Sequence, residues 1–391
     1  MKLLMVIIMK IPFNKIYFTG NELKLIKEAL NMESVSGDGY FTSKVSSLLE
    51  ETFSIPKVLM TTSATHALDI AMMLIGLGPK DEVIMPSFTF PSTANSVMLR
   101  GAIPVFTEIL PSNLNIDPDD IEKKITKNTR AIIPVHYGGV GCEMDRIINI
   151  AEKHRLYIIE DAAQGVNSKY KDRFLGAWGY LACYSFHGTK NYISGEGGAL
   201  AINSKDEELI ERAQIIRQKG TNRNKFLKGK VDKYSWVDIG SSYTPSDILM
   251  AVLYGQLQQM NVIKEKRRKI VSYYIENLNK HLKSGSIKGM TTLQKYQDSN
   301  HHLFYILLEN EALRDKVIKR LREFGIHATT HFEPLHSSFM GQTLGYTLGD
   351  FPITERVGKS LLRLPLYTSM TIEEANYVVY RLDEILNPNY S

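Results

Sequence analysis

The sequence predicts an α/β fold, a large domain on a mostly parallel sheet followed by a smaller C-terminal α+β domain, and three observations carry that expectation. From Pro56 to Ser204 short β-branched runs alternate with longer amphipathic segments, the pattern of β-α units. The 391 residues exceed one ordinary domain of roughly 100 to 200 residues, which predicts a division into 1–250 and 251–391. With 43% hydrophobic and 23% charged residues the composition is that of a packed globular protein and excludes a disordered chain.

The expected strands are Val58 to Thr61, Glu82 to Met85, Pro104 to Thr107, Ala131 to His136, Tyr157 to Glu160, Ala182 to Phe186 and Ala199 to Asn203. Helices between them start near Thr65, Pro91, Pro118 and Met144. The start at Pro118 is well signalled, because Asp117 can cap it and proline is tolerated at the first helical position. A helical stretch then runs from Ser246 to Leu282, and a Gly/Ser/Lys loop follows near Ser284 to Gly289. The smaller domain reads as a strand (His302 to Leu308), a helix (Ala312 to Phe324), a strand (His327 to Phe332), a helix near Thr354 to Leu362 and a last helix from Thr371 to Leu386.

Several function classes drop out. A formal charge of +5 spread along the chain is too diffuse to call for nucleic acid, and the run Lys264 to Lys269, without interleaved aromatics, reads as a solvated helix face. Cys142 and Cys183 read as reduced thiols of a cytoplasmic protein, not as a disulfide framework. Met1 to Met9 is apolar, but Lys10 interrupts it and no small-residue cleavage site follows. It reads as an upstream extension, with Met9 as an alternative start, or as an N-terminal strand, not as a secretion signal. No later stretch approaches the about 20 apolar residues that span a bilayer, so no membrane insertion is expected. His327, His331 and His336 are not expected to bind metal: residues four apart on a strand lie about 13 Å from each other, and no partner Glu accompanies them.

Chemistry enters with an acid at one strand end and a lysine just past another. Asp161, in Glu160-Asp161-Ala162-Ala163-Gln164, emerges at the carboxyl end of a strand, where open parallel sheets bind ligands. Alone it reads equally well as a helix N-cap. Lys190 follows Ser185-Phe186-His187-Gly188-Thr189 and precedes the flexible run Ser194 to Gly198. A lysine amine partly desolvated beside a cofactor can form a Schiff base with an aldehyde, whereas a lone lysine is ordinarily a solvated charge. Together the two residues meet the needs of pyridoxal phosphate: an amine for its aldehyde, and a carboxylate that keeps the pyridine nitrogen protonated so that the ring accepts electrons. Thr62-Ser63-Ala64-Thr65 offers N–H groups and hydroxyls at a helix start for the phosphate. Phe88-Thr89-Phe90 offers two aromatic faces for the ring.

With these residues in place the chain resembles the DegT/DnrJ/EryC1/StrS sugar aminotransferases, which share the fold type I architecture of aspartate aminotransferase. Longer segments extend the resemblance: Ser36-Gly37-Asp38-Gly39 with Phe41-Thr42, His136-Tyr137-Gly138-Gly139-Val140, Lys219-Gly220-Thr221-Asn222-Arg223, Val231-Asp232-Lys233-Tyr234 and Asp238-Ile239-Gly240-Ser241-Ser242-Tyr243. Within the group they are most similar to members that make dTDP-4-amino-4,6-dideoxygalactose for enterobacterial common antigen. The resemblance implies that Lys190 is the Schiff-base lysine and proton shuttle and that Asp161 pairs with the pyridinium. It places Gln164 by the ring hydroxyl, Phe90 on the ring face, and Ser63, Ala64 and Ser185 on the phosphate. Many members put an Asn of the partner subunit on the phosphate in a Gly-x-Asn pattern. Here the stretch reads Gly240-Ser241-Ser242, so Ser242 takes that place with a shorter side chain.

The resemblance further implies a homodimer with a shared active site, L-glutamate as amino donor and dTDP-4-keto-6-deoxy-D-glucose as acceptor. A 3-keto, UDP-linked or GDP-linked sugar is the alternative acceptor. His136, Tyr137, Lys219, Arg223 and His331 become candidates for binding the sugar nucleotide, Lys219 and Arg223 through its diphosphate. Dehydratases of the group carry histidine in place of the Schiff-base lysine, and Lys190 argues against them. A non-catalytic protein on the same fold would be expected to lack Lys190 or Asp161, and both are present.

Overall fold

The computed structural model describes residues 9–32, 35–292 and 296–387; the stretch Met1 to Ile8, expected as an extension or a strand, lies outside them. Seven strands build the main sheet: β1 (Lys57–Thr61), β2 (Glu82–Pro86), β3 (Ile103–Thr107), β4 (Thr129–Ile132), β5 (Tyr157–Asp161), β6 (Leu181–Ser185) and β7 (Gly198–Ile202). Their spatial order is β1-β7-β6-β5-β4-β2-β3. Every neighbouring pair from β3 across to β6 is parallel, whereas β7 runs antiparallel to both β6 and β1. β4 is shorter than the run Ala131 to His136 suggests, because Pro134 has no N–H to give to a ladder.

The helices of this region are α1 (Glu22–Leu30), α2 (Tyr40–Phe53), α3 (Ala64–Leu74), α4 (Pro91–Met98), α5 (Pro118–Lys124), α6 (Met144–His154), α7 (Glu207–Arg217), α8 (Arg223–Leu227) and α9 (Asp247–Leu257). α5 begins as its cap predicts, with the Asp117 carboxylate accepting from Asp119 N–H at 2.9 Å. Ile84, Ile121, Ile132, Ile147 and Ile158 interlock from sheet and helices into one buried cluster. Burial of each such side chain contributes about 1.5–3 kcal/mol.

The chain divides into two compact units, but not by the single cut near residue 250 that the sequence suggests. The larger holds Phe18–Met260 and a short return segment ending at Asn300; the smaller takes residues 9–17, 261–292 and 301–387 of those described. The N-terminal stretch joins the smaller unit because Ile11 N–H donates to Gly325 O and His327 N–H to Ile11 O, both at 2.9 Å. The helical stretch from Ser246 is two helices, α9 and α10 (Met260–Ser284), broken at Gln258 and Gln259 beside that boundary. Arg267 departs from the solvated face expected of its basic run: it is buried and donates to the carbonyls of His301 and His302 at 2.9 and 2.7 Å.

Inside the smaller unit, strands β8 (Gly289–Met290), β9 (Phe304–Leu307) and β10 (Leu361–Leu364) form an antiparallel sheet. Tyr274, Phe304, Val317, Leu321, Val378 and Leu382 fill its core. The strand expected over His327 to Phe332 reduces to single bridges, because the segment pairs first with Ile11 and then, at Thr329, with Arg363. The helix expected through Leu362 ends at Ser360, and Leu361 opens β10. Among the described residues no helix is long and apolar enough to cross a membrane.

One long-range cap fixes the entry to the large sheet. The buried Asp247 carboxylate accepts from Phe41 N–H at 3.0 Å and from the N–H and hydroxyl of Thr42, both at 2.7 Å, so it caps α2 from more than 200 residues away. A Cβ on Gly39 would lie 2.5 Å from the Asp247 carboxyl carbon, which is why that corner is glycine. Asp247→Ala removes the cap and strands buried donors, and it is expected to cost about 2–4 kcal/mol in denaturant unfolding, with Asp247→Asn losing less.

Candidate active site

Strand register assembles the site. The last residues of β1 and β6, Thr61 and Ser185, both pair with Gly198, the first residue of β7. A Cβ at Gly198 would sit 2.2 Å from the Ser63 carbonyl carbon and 2.4 Å from Ala64 N, so the loop after β1 lies directly on this glycine. There the chain turns into α3. Ser63 is its N-cap, accepting from His66 N–H at 3.1 Å and keeping its own hydroxyl proton to donate. The first N–H groups of a helix have no intrahelical acceptor, so Ala64 and Thr65 with the hydroxyls of Ser63 and Ser185 make a cradle that could hold a phosphate.

The cradle is tied from behind. Thr61 hydroxyl donates to Ser63 O at 2.8 Å, Thr62 N–H to Tyr243 O at 2.9 Å, and the Thr62 hydroxyl is hydrogen-bonded to the His66 ring. Arg217 donates to Met60 O at 2.8 Å and pairs with Asp38 at 2.5 Å, while Gln218 donates to the same carboxylate. The segments Ser36 to Thr42 and Arg217 to Tyr243 therefore act as a frame around the end of β1.

Asp161 ends β5, almost fully buried. No helix starts there, which removes the N-cap reading; the chain continues in turns. Its Oδ2 accepts from the Thr93 hydroxyl at 2.8 Å and its Oδ1 from Ala163 N–H at 3.2 Å. Gln164 is buried, and its Oε1 accepts from Gly138 N–H at 2.7 Å, which leaves the amide NH2 as its donor end. The Gln164 carbonyl in turn accepts from Asn300 at 2.8 Å, and Gln297 pairs with both backbone groups of Gly141 at 2.9 and 3.0 Å.

Lys190 is half-buried at the end of a turn closed by its N–H donating to His187 O at 2.8 Å. Gly188 N–H to Gly195 O and Ser194 N–H to Phe186 O pin the same loop at 2.8 and 2.9 Å. Of the two aromatic candidates, Phe88 is core, 5.2 Å from the Tyr137 ring, whereas Phe90, the residue before α4, is 58% exposed. Cradle, carboxylate, amine and exposed ring are the groups that pyridoxal phosphate requires, and the residues fit it.

The remaining candidates separate. His136 is fully buried, with Nε2 2.8 Å from Glu160 Oε2. The Cys142 N–H points at Nδ1 from 3.1 Å, which makes Nδ1 an unprotonated acceptor; on that geometry the ring is neutral and donates from Nε2 to Glu160. Glu160 also accepts from the N–H groups of Gly176, Trp178 and Gly179 at 2.6–2.7 Å, so the pair is a structural knot, not a substrate contact. Tyr137 is likewise buried. Lys219, Arg223 and Ser242 share one surface region, where Gln218 bridges Ser242 and Lys219 N–H donates to Ser241 O at 2.9 Å. His331 belongs to the smaller unit, its ring stacked 3.8 Å from that of Phe332. Thr93, Glu160 and Gly198 have no motif to announce them, since each acts through a partner distant in sequence or through backbone approach. Cys142 and Cys183 are both buried and not disulfide-bonded.

Comparison with known proteins agrees with this geometry. The pattern of the DegT/DnrJ/EryC1/StrS aminotransferase family matches residues 17–383. GDP-perosamine synthase of Caulobacter vibrioides is 31% identical over 372 residues, covering 94% of this chain and 96% of its own. Among solved structures, Spr1654 from Streptococcus pneumoniae in its PLP-form superposes with a TM-score of 0.90 at 25% identity, covering 97% of this chain and 99% of that one. NtdA from Bacillus subtilis with bound PMP gives 0.86 at 28% identity, covering 96% and 85%. The fold is that of the fold type I pyridoxal phosphate enzymes, and pyridoxal phosphate is the cofactor.

Gly198→Ala is expected to displace the cradle and weaken pyridoxal phosphate binding at least about tenfold in a fluorescence titration of a folded protein. His136→Ala should do the reverse, costing about 1–3 kcal/mol in unfolding while cofactor affinity stays within about threefold.

Proposed function

Because the chain belongs to the DegT/DnrJ/EryC1/StrS aminotransferase family, we propose that it transfers the amino group of L-glutamate to a nucleotide-linked 4-keto-6-deoxyhexose. The acceptor on this reading is dTDP-4-keto-6-deoxy-D-glucose and the product dTDP-4-amino-4,6-dideoxy-D-galactose, a precursor for lipopolysaccharide or enterobacterial common antigen. What supports it is that the turn bearing Ser63, Asp161 and the turn bearing Lys190 all follow or close the carboxyl ends of strands of one sheet, β1, β5 and β6.

Pyridoxal phosphate, when bound, supplies an aldehyde that takes up amines and a ring into which electrons drain. This chain's residues do the rest. Lys190 Nζ would hold the aldehyde and, as a free amine, would take the proton from the α carbon of glutamate and return one at the sugar carbon. Asp161 would face the pyridine nitrogen, Gln164 would offer its NH2 to the ring oxygen, and Phe90 would cover one ring face. Ser63, Ala64 and Ser185 would hold the phosphate, with Ser242 of the partner subunit beside them. Lys219 and Arg223 offer positive charge to the diphosphate of the sugar nucleotide. A GDP-linked acceptor is the second reading, favoured by the 31% identity to GDP-perosamine synthase.

Lys190→Ala is expected to abolish the visible band of bound cofactor and to lower turnover roughly 1,000-fold or more. Incubation with glutamate and dTDP-, UDP- and GDP-linked keto sugars, with products identified by mass and NMR, decides the acceptor; an aminated dTDP sugar is expected. For the homodimer, the surface before Ser242 exposes Tyr234, Val237, Ile239 and Trp236, the last 76% exposed. Sedimentation should show a dimer and Trp236→Glu should shift it toward monomer.

A further inference from the structure

We infer that the first turn of α4 is a positioning device for the cofactor and that Thr93, relayed by Thr89, fixes the aim of Asp161. The inference rests on the reading of Asp161 as the partner of the ring nitrogen. Thr93 is wholly buried and Thr89 is 1% exposed. Thr93 Oγ1 lies 2.8 Å from Asp161 Oδ2 and 2.9 Å from Thr89 Oγ1. A carboxylate has no proton to give, so Thr93 donates to it. Having spent its one proton, the Thr93 hydroxyl can only accept from Thr89.

The chain therefore runs one way, from Thr89 through Thr93 to Asp161, and each bond polarises the next toward the carboxylate. A carboxylate held in one orientation by its donors is the better partner for a pyridine nitrogen and keeps that nitrogen protonated. With Ala163 N–H on Oδ1 and Thr93 on Oδ2, both oxygens are pinned and the side chain has one direction left. The same turn carries two further grips. Phe90 stands at its start, with Thr93 N–H donating to Phe90 O at 3.1 Å. The Ser92 hydroxyl lies 2.7 Å from that of Thr65 in the first turn of α3. Four successive residues, Phe90 to Thr93, thus link the ring face, the phosphate helix and the carboxylate.

The test is titration of apoenzyme with pyridoxal phosphate, read by protein fluorescence and by the pH midpoint of the visible band, in wild type, Thr93→Val, Thr93→Ser and Asp161→Asn. Thr93→Val is expected to weaken binding at least about tenfold and Thr93→Ser to restore it to within about threefold. The midpoint in Thr93→Val should move upward, because a less firmly protonated ring nitrogen withdraws fewer electrons from the imine. In an Asp161→Asn background Thr93→Val should add less than about threefold, its partner charge having gone. Wild-type binding and midpoint in Thr93→Val overturn the inference, as does Thr93→Ser behaving like Thr93→Val or a full tenfold loss persisting beside Asp161→Asn. Wild-type affinity in Asp161→Asn alone overturns the reading of Asp161 and the inference with it. Should Thr93→Val not fold, Thr89→Val serves, with about threefold weaker binding expected and unchanged binding overturning the relay.

Discussion

The larger unit depends on one antiparallel strand set among parallel ones. β7 separates β1 from β6 and begins where both of them end, so Gly198 pairs with Thr61 on one side and with Ser185 on the other. Without a side chain there, the loop after β1 closes onto the start of β7 and both serines come to one edge. β5 is bonded to β6 on its far side and ends with Asp161 opposite Cys183, two residues before Ser185. The chemistry is thus a product of register: a slip of one residue would turn every side chain to the opposite face.

Much of this was legible in the sequence. The β-branched runs marked the strands, because buried parallel strands read as short apolar stretches. Asp117 showed itself as a cap, because capping is local. Asp161 and Lys190 stood out because a cofactor of known chemistry needs one of each. The Glu160–His136 pair stayed hidden: a histidine next to the glycine-rich stretch suggests a ligand contact, and only the three backbone N–H groups folded around Glu160 show that its neighbour is occupied. The division into units was hidden too, since Ile11 and Gly325 are joined by backbone pairing that leaves no residue signature.

The long segments that carried the family resemblance have a physical explanation. In Ser36 to Thr42, Gly39 makes room for the Asp247 carboxylate, and Asp38 ties Arg217 and Gln218 to the end of β1. These residues hold the backbone beneath the phosphate cradle. Charge is spent here on orientation: the Asp247 carboxylate is met by three fixed donors and that of Asp38 by Arg217 and Gln218.

The return segment ending at Asn300 has a consequence for how the protein is made. Gln297 and Asn300 close the wall behind Gln164, yet they are synthesised after the helix that follows Met260. A ribosome-bound chain that stops before Gln297 can already pair all seven strands of the sheet, but the loop bearing Gln164 still lacks its supports. Completion of that wall is thereby deferred until translation has moved well into the second unit.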